Sequence, residues 1–104
     1  MLECEDTPES LVCRFSGRID TNAANEMENS LLEKVGMADK PVVFDFSGLE
    51  YVASSFLRLC VKVVRVLGSS RLRVVGASGE IVRILEMTGF SKLMDIEPVD
   101  GEKK

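Results

Sequence analysis

Two adjacent serines, Ser54 and Ser55, stand at the junction between a polar stretch and a long apolar one. Upstream, the strand-like run Val42 to Phe46 enters a short polar loop, residues 47–53, that ends at these hydroxyls. Downstream, the residues to Leu67 read as a helix. A serine at a helix start can accept a hydrogen bond from an otherwise unpaired backbone N–H. The same helix end carries about half a positive charge and favours a phosphate. A serine here can therefore be a structural cap, a phosphorylation site, or both. In an open α/β sheet, binding sites lie at the carboxyl ends of strands, and residues 47–53 occupy such an end.

Other chemistries are excluded by what the chain lacks. It has no histidine among its 104 residues, so neither a Ser-His-Asp nor a Cys-His nucleophile system can be assembled, and imidazole ligation of a metal is unavailable. No G-x-x-x-x-G-K-[ST] or G-x-G-x-x-G motif is present. Gly76-Ala77-Ser78-Gly79-Glu80 lacks the spacing of a nucleophile elbow. The expectation is a non-enzyme with no cofactor and no metal. A net charge of −4 argues against nucleic acid as the main partner, since such binding needs lysine and arginine to neutralise phosphates.

The elements that must position the serines follow from periodicity. A length of 104 residues, 45% of them hydrophobic and 29% charged, predicts one soluble domain over 1–104 with a single core. No apolar run approaches the roughly 20 residues of a membrane span, and the early Glu3, Glu5 and Asp6 do not fit a signal peptide. Residues 1–5 read as a short edge strand before a turn around Asp6-Thr7-Pro8-Glu9. Leu11, Cys13 and Phe15 alternate with Val12, Arg14 and Ser16 as a strand with one buried face. Asp20, Thr21 or Asn22 is placed to cap a helix to about Val35, stopped by Gly36.

Val42 to Phe46, apolar nearly throughout, is expected to be a strand covered on both faces. The helix from Ser54 or Ser55 to Leu67 ends at Gly68-Ser69-Ser70, and Leu72 to Val75 form the next strand. A third helix follows Ser78 with Ile81, Ile84, Leu85 and Thr88 on one side, and Gly89 fits a left-handed C-cap. Leu93 to Ile96 add a strand or short turn, and the tail from about residue 98 is expected to fray. Together these predict an α/β fold with four or five mostly parallel strands in a mixed sheet and three main helices packed on it.

Arg58, Lys62 and Arg65 recur at spacings of four and three and form one basic stripe on the second helix. It is either the solvated face a greasy helix needs or a docking strip for a protein with an acidic or mixed surface. Met27, Met37, Met87 and Met94 read as core filler. Cys4, Cys13 and Cys60 form neither a disulfide framework nor a metal pattern, and Cys13 reads as a buried thiol in a reducing cytosol.

The segment Phe44-Asp45-Phe46-Ser47-Gly48-Leu49-Glu50-Tyr51-Val52-Ala53-Ser54-Ser55 resembles the signature of STAS domains, specifically the bacterial anti-sigma factor antagonists. Gly17-Arg18-Ile19-Asp20 and the stretch Ile84 to Leu93 resemble two further motifs of that family, in the same order. The resemblance implies a cytoplasmic partner-switching protein, a monomer or weak dimer. Its partners would be an anti-sigma factor that is also a serine kinase of histidine-kinase-like ATPase fold, and a PP2C-type phosphatase. It implies Ser54 as the phosphoacceptor, with Ser55 second, and a partner surface of Ser47, Gly48, Glu50, Tyr51, Ala53, Ser54, Ser55, Arg58 and Lys62. Two residues depart from the pattern: Ala53 where many members have aspartate, and Phe56 where glycine is usual. They leave a second reading open, a STAS subunit that scaffolds a signalling complex or an ABC-transporter ATPase without phosphorylation.

Overall fold

A computed structural model of the chain describes residues 2–68 and 72–98. In chain order the elements are β1 (Leu2–Asp6), β2 (Leu11–Ile19), α1 (Thr21–Met37), β3 (Val42–Val52), α2 (Ser54–Leu67), β4 (Leu72–Ala77), α3 (Gly79–Met87), a 3₁₀ turn (Phe90–Lys92) and β5 (Asp95–Pro98). The five strands form one sheet in the order β1-β2-β3-β4-β5. β1 and β2 are an antiparallel hairpin, and the other three pairings are parallel. This is the mixed, mostly parallel α/β sheet with three main helices that the sequence predicts.

Each helical crossover from β2 onward advances one place in the same direction. Crossovers of one hand that step the same way put their helices on the same face of the sheet. The burial pattern follows from this. Leu11, Cys13 and Phe15 of β2, Val42, Phe44 and Phe46 of β3, and Leu72 and Val74 of β4 are buried beneath the helices. Their neighbours Val12, Arg14, Val43, Asp45, Arg73 and Val75 are half-buried or exposed on the other face. β3 is thus covered on one face, not both. Its run of valines and phenylalanines looks continuous because valine also suits a half-buried position on an open sheet face.

Of the three candidate caps of the first helix, Asp20 is the one used, its carboxylate accepting from Ala23 N–H at 2.9 Å. Ala24, Leu31 and Val35 are its buried stripe, and it packs against α2. It does not stop at Gly36 but runs through it to Met37. A glycine weakens a helix interior yet still donates and accepts in the ladder, so a last turn can contain one. Helix α3 is capped by Ser78 and buries Ile81 and Leu85, while Ile84 is half-buried and Thr88 is exposed. Gly89 adopts the left-handed conformation at φ +83°. β5 extends to Pro98, so the strand includes the residue where fraying was expected to begin. Ser69 and Ser70, expected to end α2, lie outside the described residues, as does the tail beyond Pro98.

The methionines divide. Met94 is buried and Met27 half-buried, but Met37 and Met87 are exposed at the ends of α1 and α3, against the reading of all four as core filler. Each falls in the last turn of its helix.

Four aromatic rings bind the helical layer to the sheet. Phe15 meets Phe44, Phe46 and Phe56 edge-on, with ring centroids 4.9, 5.5 and 5.2 Å apart. Phe56 also lies 5.8 Å from Phe46 and has no exposed surface. Removing a buried phenyl ring costs lost transfer energy plus a cavity. Phe56→Ala should therefore lower the free energy of unfolding by about 3–5 kcal/mol in denaturant titration. A loss under ~1 kcal/mol would mean that this ring does not anchor the helix.

Candidate functional site

The stretch from Ser47 to Val52, expected as a loop, continues β3. Pairing with β2 explains how a loop-like sequence can do this. From Arg14 to Ile19, β2 advances five residues, while from Asp45 to Val52 its partner advances seven. The two extra residues are taken up at two register shifts, bulges that bend a strand and re-aim its side chains. Inward-facing positions change spacing accordingly, from Val42, Phe44 and Phe46 to Leu49 and Val52. Ser47, Gly48, Glu50 and Tyr51 are left facing solvent.

The bulged end is held by specific contacts. The Asp45 carboxylate accepts from Ser47 N–H at 2.9 Å and from Ser47 Oγ at 2.7 Å. Gly76 of β4 lies against this turn at φ +74°, where a Cβ would stand 2.9 Å from the Ser47 Cβ and 3.0 Å from Asp45 Oδ1. No other residue combines that conformation with so close an approach. On the other side, the Arg18 guanidinium sits 4.6 Å above the Tyr51 ring, a cation–π contact at the strand's exit. Ala53 N–H then donates to Ile19 carbonyl oxygen at 2.8 Å and fixes the start of α2.

Neither serine caps that helix. The N-cap is Ala53, its side chain buried and without an oxygen, and Ser54 is the first helical residue. The first turn of α2 holds no acidic side chain either, so its N–H groups and the positive end of its dipole are not offset from within the turn. The two hydroxyls meet different surroundings. Ser54 is exposed. Ser55 is half-buried, and its Oγ is shut from solvent without a hydrogen-bond partner among the described residues. Consecutive helical positions are about 100° apart, which is enough to turn one serine outward and its neighbour toward the protein.

Arg58, Lys62 and Arg65 all reach solvent, as their spacing predicts. Lys62 is tied to Glu28 of α1 at 2.5 Å, so it also helps seat α2 on α1. Among the described residues Arg58 makes no ion pair, and it stands one helical turn after Ser54. The structure thus gathers Ser47, Gly48, Glu50, Tyr51, Ser54 and Arg58 as exposed residues along the β3 exit and the first turns of α2. Ala53 and the Ser55 hydroxyl are withdrawn from that surface. Sequence reasoning missed Arg18 and Gly76 as supports of the site. Gly76 was legible as a glycine directly after the apolar run of β4, whereas the Arg18–Tyr51 contact depends on the second bulge.

The sequence pattern of the STAS domain family matches residues 1–102, and the chain belongs to this family. No curated protein matches it. Among solved structures, it is similar to an anti-sigma factor antagonist from Mycobacterium paratuberculosis, at 25% identity and a TM-score of 0.84 over 96% of this chain and 86% of that one. An anti-sigma-factor antagonist (STAS) domain protein from Planctomyces limnophilus shares the fold at 17% identity, TM-score 0.83, covering 97% and 92% of the two chains. So does the Bacillus cell fate determinant SpoIIAA in its phosphorylated form, at 18% identity, TM-score 0.75, covering 98% and 94%.

A buried hydroxyl without a partner carries a desolvation cost that a methyl group does not. Ser55→Ala should accordingly leave stability unchanged or raise it by up to ~1 kcal/mol in thermal or denaturant unfolding. A clear loss of stability would show that the Ser55 Oγ is hydrogen-bonded after all.

Proposed function

We propose that this chain is an anti-sigma factor antagonist that works by partner switching, with Ser54 as its regulatory phosphoacceptor. The observation that carries this reading is the exposed Ser54 at the uncapped start of α2, in a fold shared with anti-sigma factor antagonists. The protein itself catalyses nothing. Unphosphorylated, it binds an anti-sigma factor that is also its serine kinase, through Ser47, Gly48, Glu50 and Tyr51 on β3 and Ser54, Arg58 and Lys62 on α2. A PP2C-type phosphatase returns it to that state. The setting is cytoplasmic, and among the described residues no helix is long and apolar enough to cross a membrane.

The geometry supports Ser54 over Ser55 as the acceptor, because a kinase must reach the hydroxyl and that of Ser55 is shut from solvent. A phosphoserine brings about −1.5 to −2 charges at neutral pH. In the free protein the helix N-terminus tolerates that charge, and Arg58, four residues on, has the spacing and polarity of a stabilising helical pair. In a docked complex the same phosphate is desolvated and Arg58 is drawn away from the partner. A loss of ~3–4 kcal/mol corresponds to a ~10²–10³-fold weaker complex.

Incubation with the cognate kinase and ATP should place one phosphate on Ser54 by peptide mass spectrometry. Ser54→Ala should bind the anti-sigma factor like wild type, and Ser54→Asp should bind far more weakly. No phosphate on either serine, with equal binding by the two variants, would point instead to the constitutive STAS subunit of a signalling or transporter assembly. The departures at Ala53 and Phe56 motivate that second reading. Phe56, however, is wholly inside the core and offers no surface to a partner.

Arg58 supplies a separate check on the surface. Arg58→Glu should leave the melting temperature within ~1 °C of wild type, as for an exposed residue with no ion pair among the described residues, while weakening partner binding at least tenfold. Normal binding by this variant would reduce the basic stripe to a solvated face.

A further inference from the structure

Far from the candidate site, at the opposite end of β2, two of the three cysteines face each other. Cys4 of β1 and Cys13 of β2 are directly opposed in the antiparallel hairpin. Their sulfurs are 3.7 Å apart, which is van der Waals contact. Opposed residues of an antiparallel pair have Cα atoms about 4.5 or 5.5 Å apart, and both values lie within the range that a disulfide spans. Spacing along the chain does not reveal this pair as a disulfide pattern. The hairpin turn at Thr7 and Ser10 folds residues nine apart onto one rung.

The two thiols differ in access. Cys13 is fully buried and Cys4 half-buried. Cys4 also lines a cleft of about 480 Å³ between the hairpin and the end of α1, together with Asp6, Lys34, Met37 and Lys40. Desolvation, and after it the neighbouring Cys4 thiol, push the Cys13 thiol well up, with only a smaller opposing effect from the positive charge of Lys34. Cys60 is buried on the inward face of α2, pushed up to about 12 by desolvation, and has no thiol neighbour among the described residues. One cysteine is thus reachable, one is poised against it, and one is isolated.

We propose that Cys4 and Cys13 form a reversible dithiol–disulfide couple, oxidised by peroxide entering through this cleft. Peroxide oxygen is transferred to the Cys4 sulfur, giving a sulfenic acid and one water. The Cys13 sulfur then attacks the Cys4 sulfur. The S–O bond breaks, the S–S bond forms, and the hydroxyl leaves with the Cys13 proton as a second water. The sum is two thiols and one peroxide converted to one disulfide and two waters, and a small dithiol reverses it. The bond fastens edge strand β1 to the parallel sheet. This inference does not depend on the proposed switch at Ser54.

The test treats the reduced full chain with hydrogen peroxide, then denatures and alkylates it. The denatured product should show one free thiol where the reduced protein shows three. Trypsin releases Cys4 and Cys13 together in the peptide of residues 1–14 and Cys60 in that of residues 59–62. Residues 1–14 should appear unlabelled and about 2 Da lighter, and dithiothreitol should restore both labels. Residues 59–62 should be fully alkylated. Cys13→Ser, confirmed as folded by circular dichroism, should instead carry added oxygen on Cys4 or dimerise through it. The pairing is overturned if wild-type Cys4 is over-oxidised or dimerised while Cys13 takes label, or if both cysteines of residues 1–14 are labelled after oxidation.

Discussion

The packing of Phe56, edge-on against Phe15 and tilted against Phe46, fixes the rest of the structure. It joins the distant strand β2 to the consecutive elements β3 and α2 and sets the depth and rotation of α2 on the sheet. Once Phe56 points inward, the period of the helix leaves little freedom. Leu59, Cys60, Val63, Val64 and Leu67 follow it into the core, while Ser54, Arg58, Lys62 and Arg65 are carried outward. Aromatic pairs favour such tilted contacts because positive ring edges meet negative faces, which gives a directional term that aliphatic packing lacks. The ring is two residues from Ser54, so the element that stabilises the fold also presents the candidate site.

The second constraint is the pair of bulges in β3. A regular strand would have placed alternate residues from Ser47 to Val52 in the core. That register would have buried a polar or charged side chain on whichever face it chose. Two extra residues change the inward spacing so that Phe46, Leu49 and Val52 pack and Ser47, Gly48, Glu50 and Tyr51 do not. Asp45 and Gly76 hold the first departure in place, and the Arg18–Tyr51 contact closes the second. Bulges beside functional surfaces commonly aim side chains in this way.

Most of the fold was legible in the sequence because its signals are local. The alternation of Leu11, Cys13 and Phe15, the Asp20 cap and the left-handed Gly89 each report on a few neighbouring residues. What was not legible depends on pairing across the sheet. Ser47 to Val52 reads as a loop because serine, glycine and glutamate are poor strand formers, and only the register against β2 makes them a bulged strand. The one-sided covering of β3 follows from the direction in which successive crossovers step, which no single segment encodes. Likewise, the opposition of Cys4 and Cys13 exists only in the hairpin. At the site, the exposure of the basic stripe followed from spacing. The assignment of the cap to Ala53 did not, because Ser54 and Ala53 differ by one residue at a boundary that propensity places only to within a turn.

That one-residue difference decides how the two serines can act. Were Ser54 the N-cap, its hydroxyl would hold a backbone N–H of the first turn, and a phosphate there would first have to displace a bond that stabilises the helix. With Ala53 at the cap, the Ser54 hydroxyl is not part of the helix-capping arrangement. A charge added to it meets a helix dipole that no acidic side chain of the first turn offsets and, one turn on, an arginine that makes no ion pair among the described residues. Both interactions are favourable to the free fold. The destabilising consequences of such a charge therefore fall on whatever docks against the surface, and a change confined to one side chain can act on an interface without unfolding the domain that carries it.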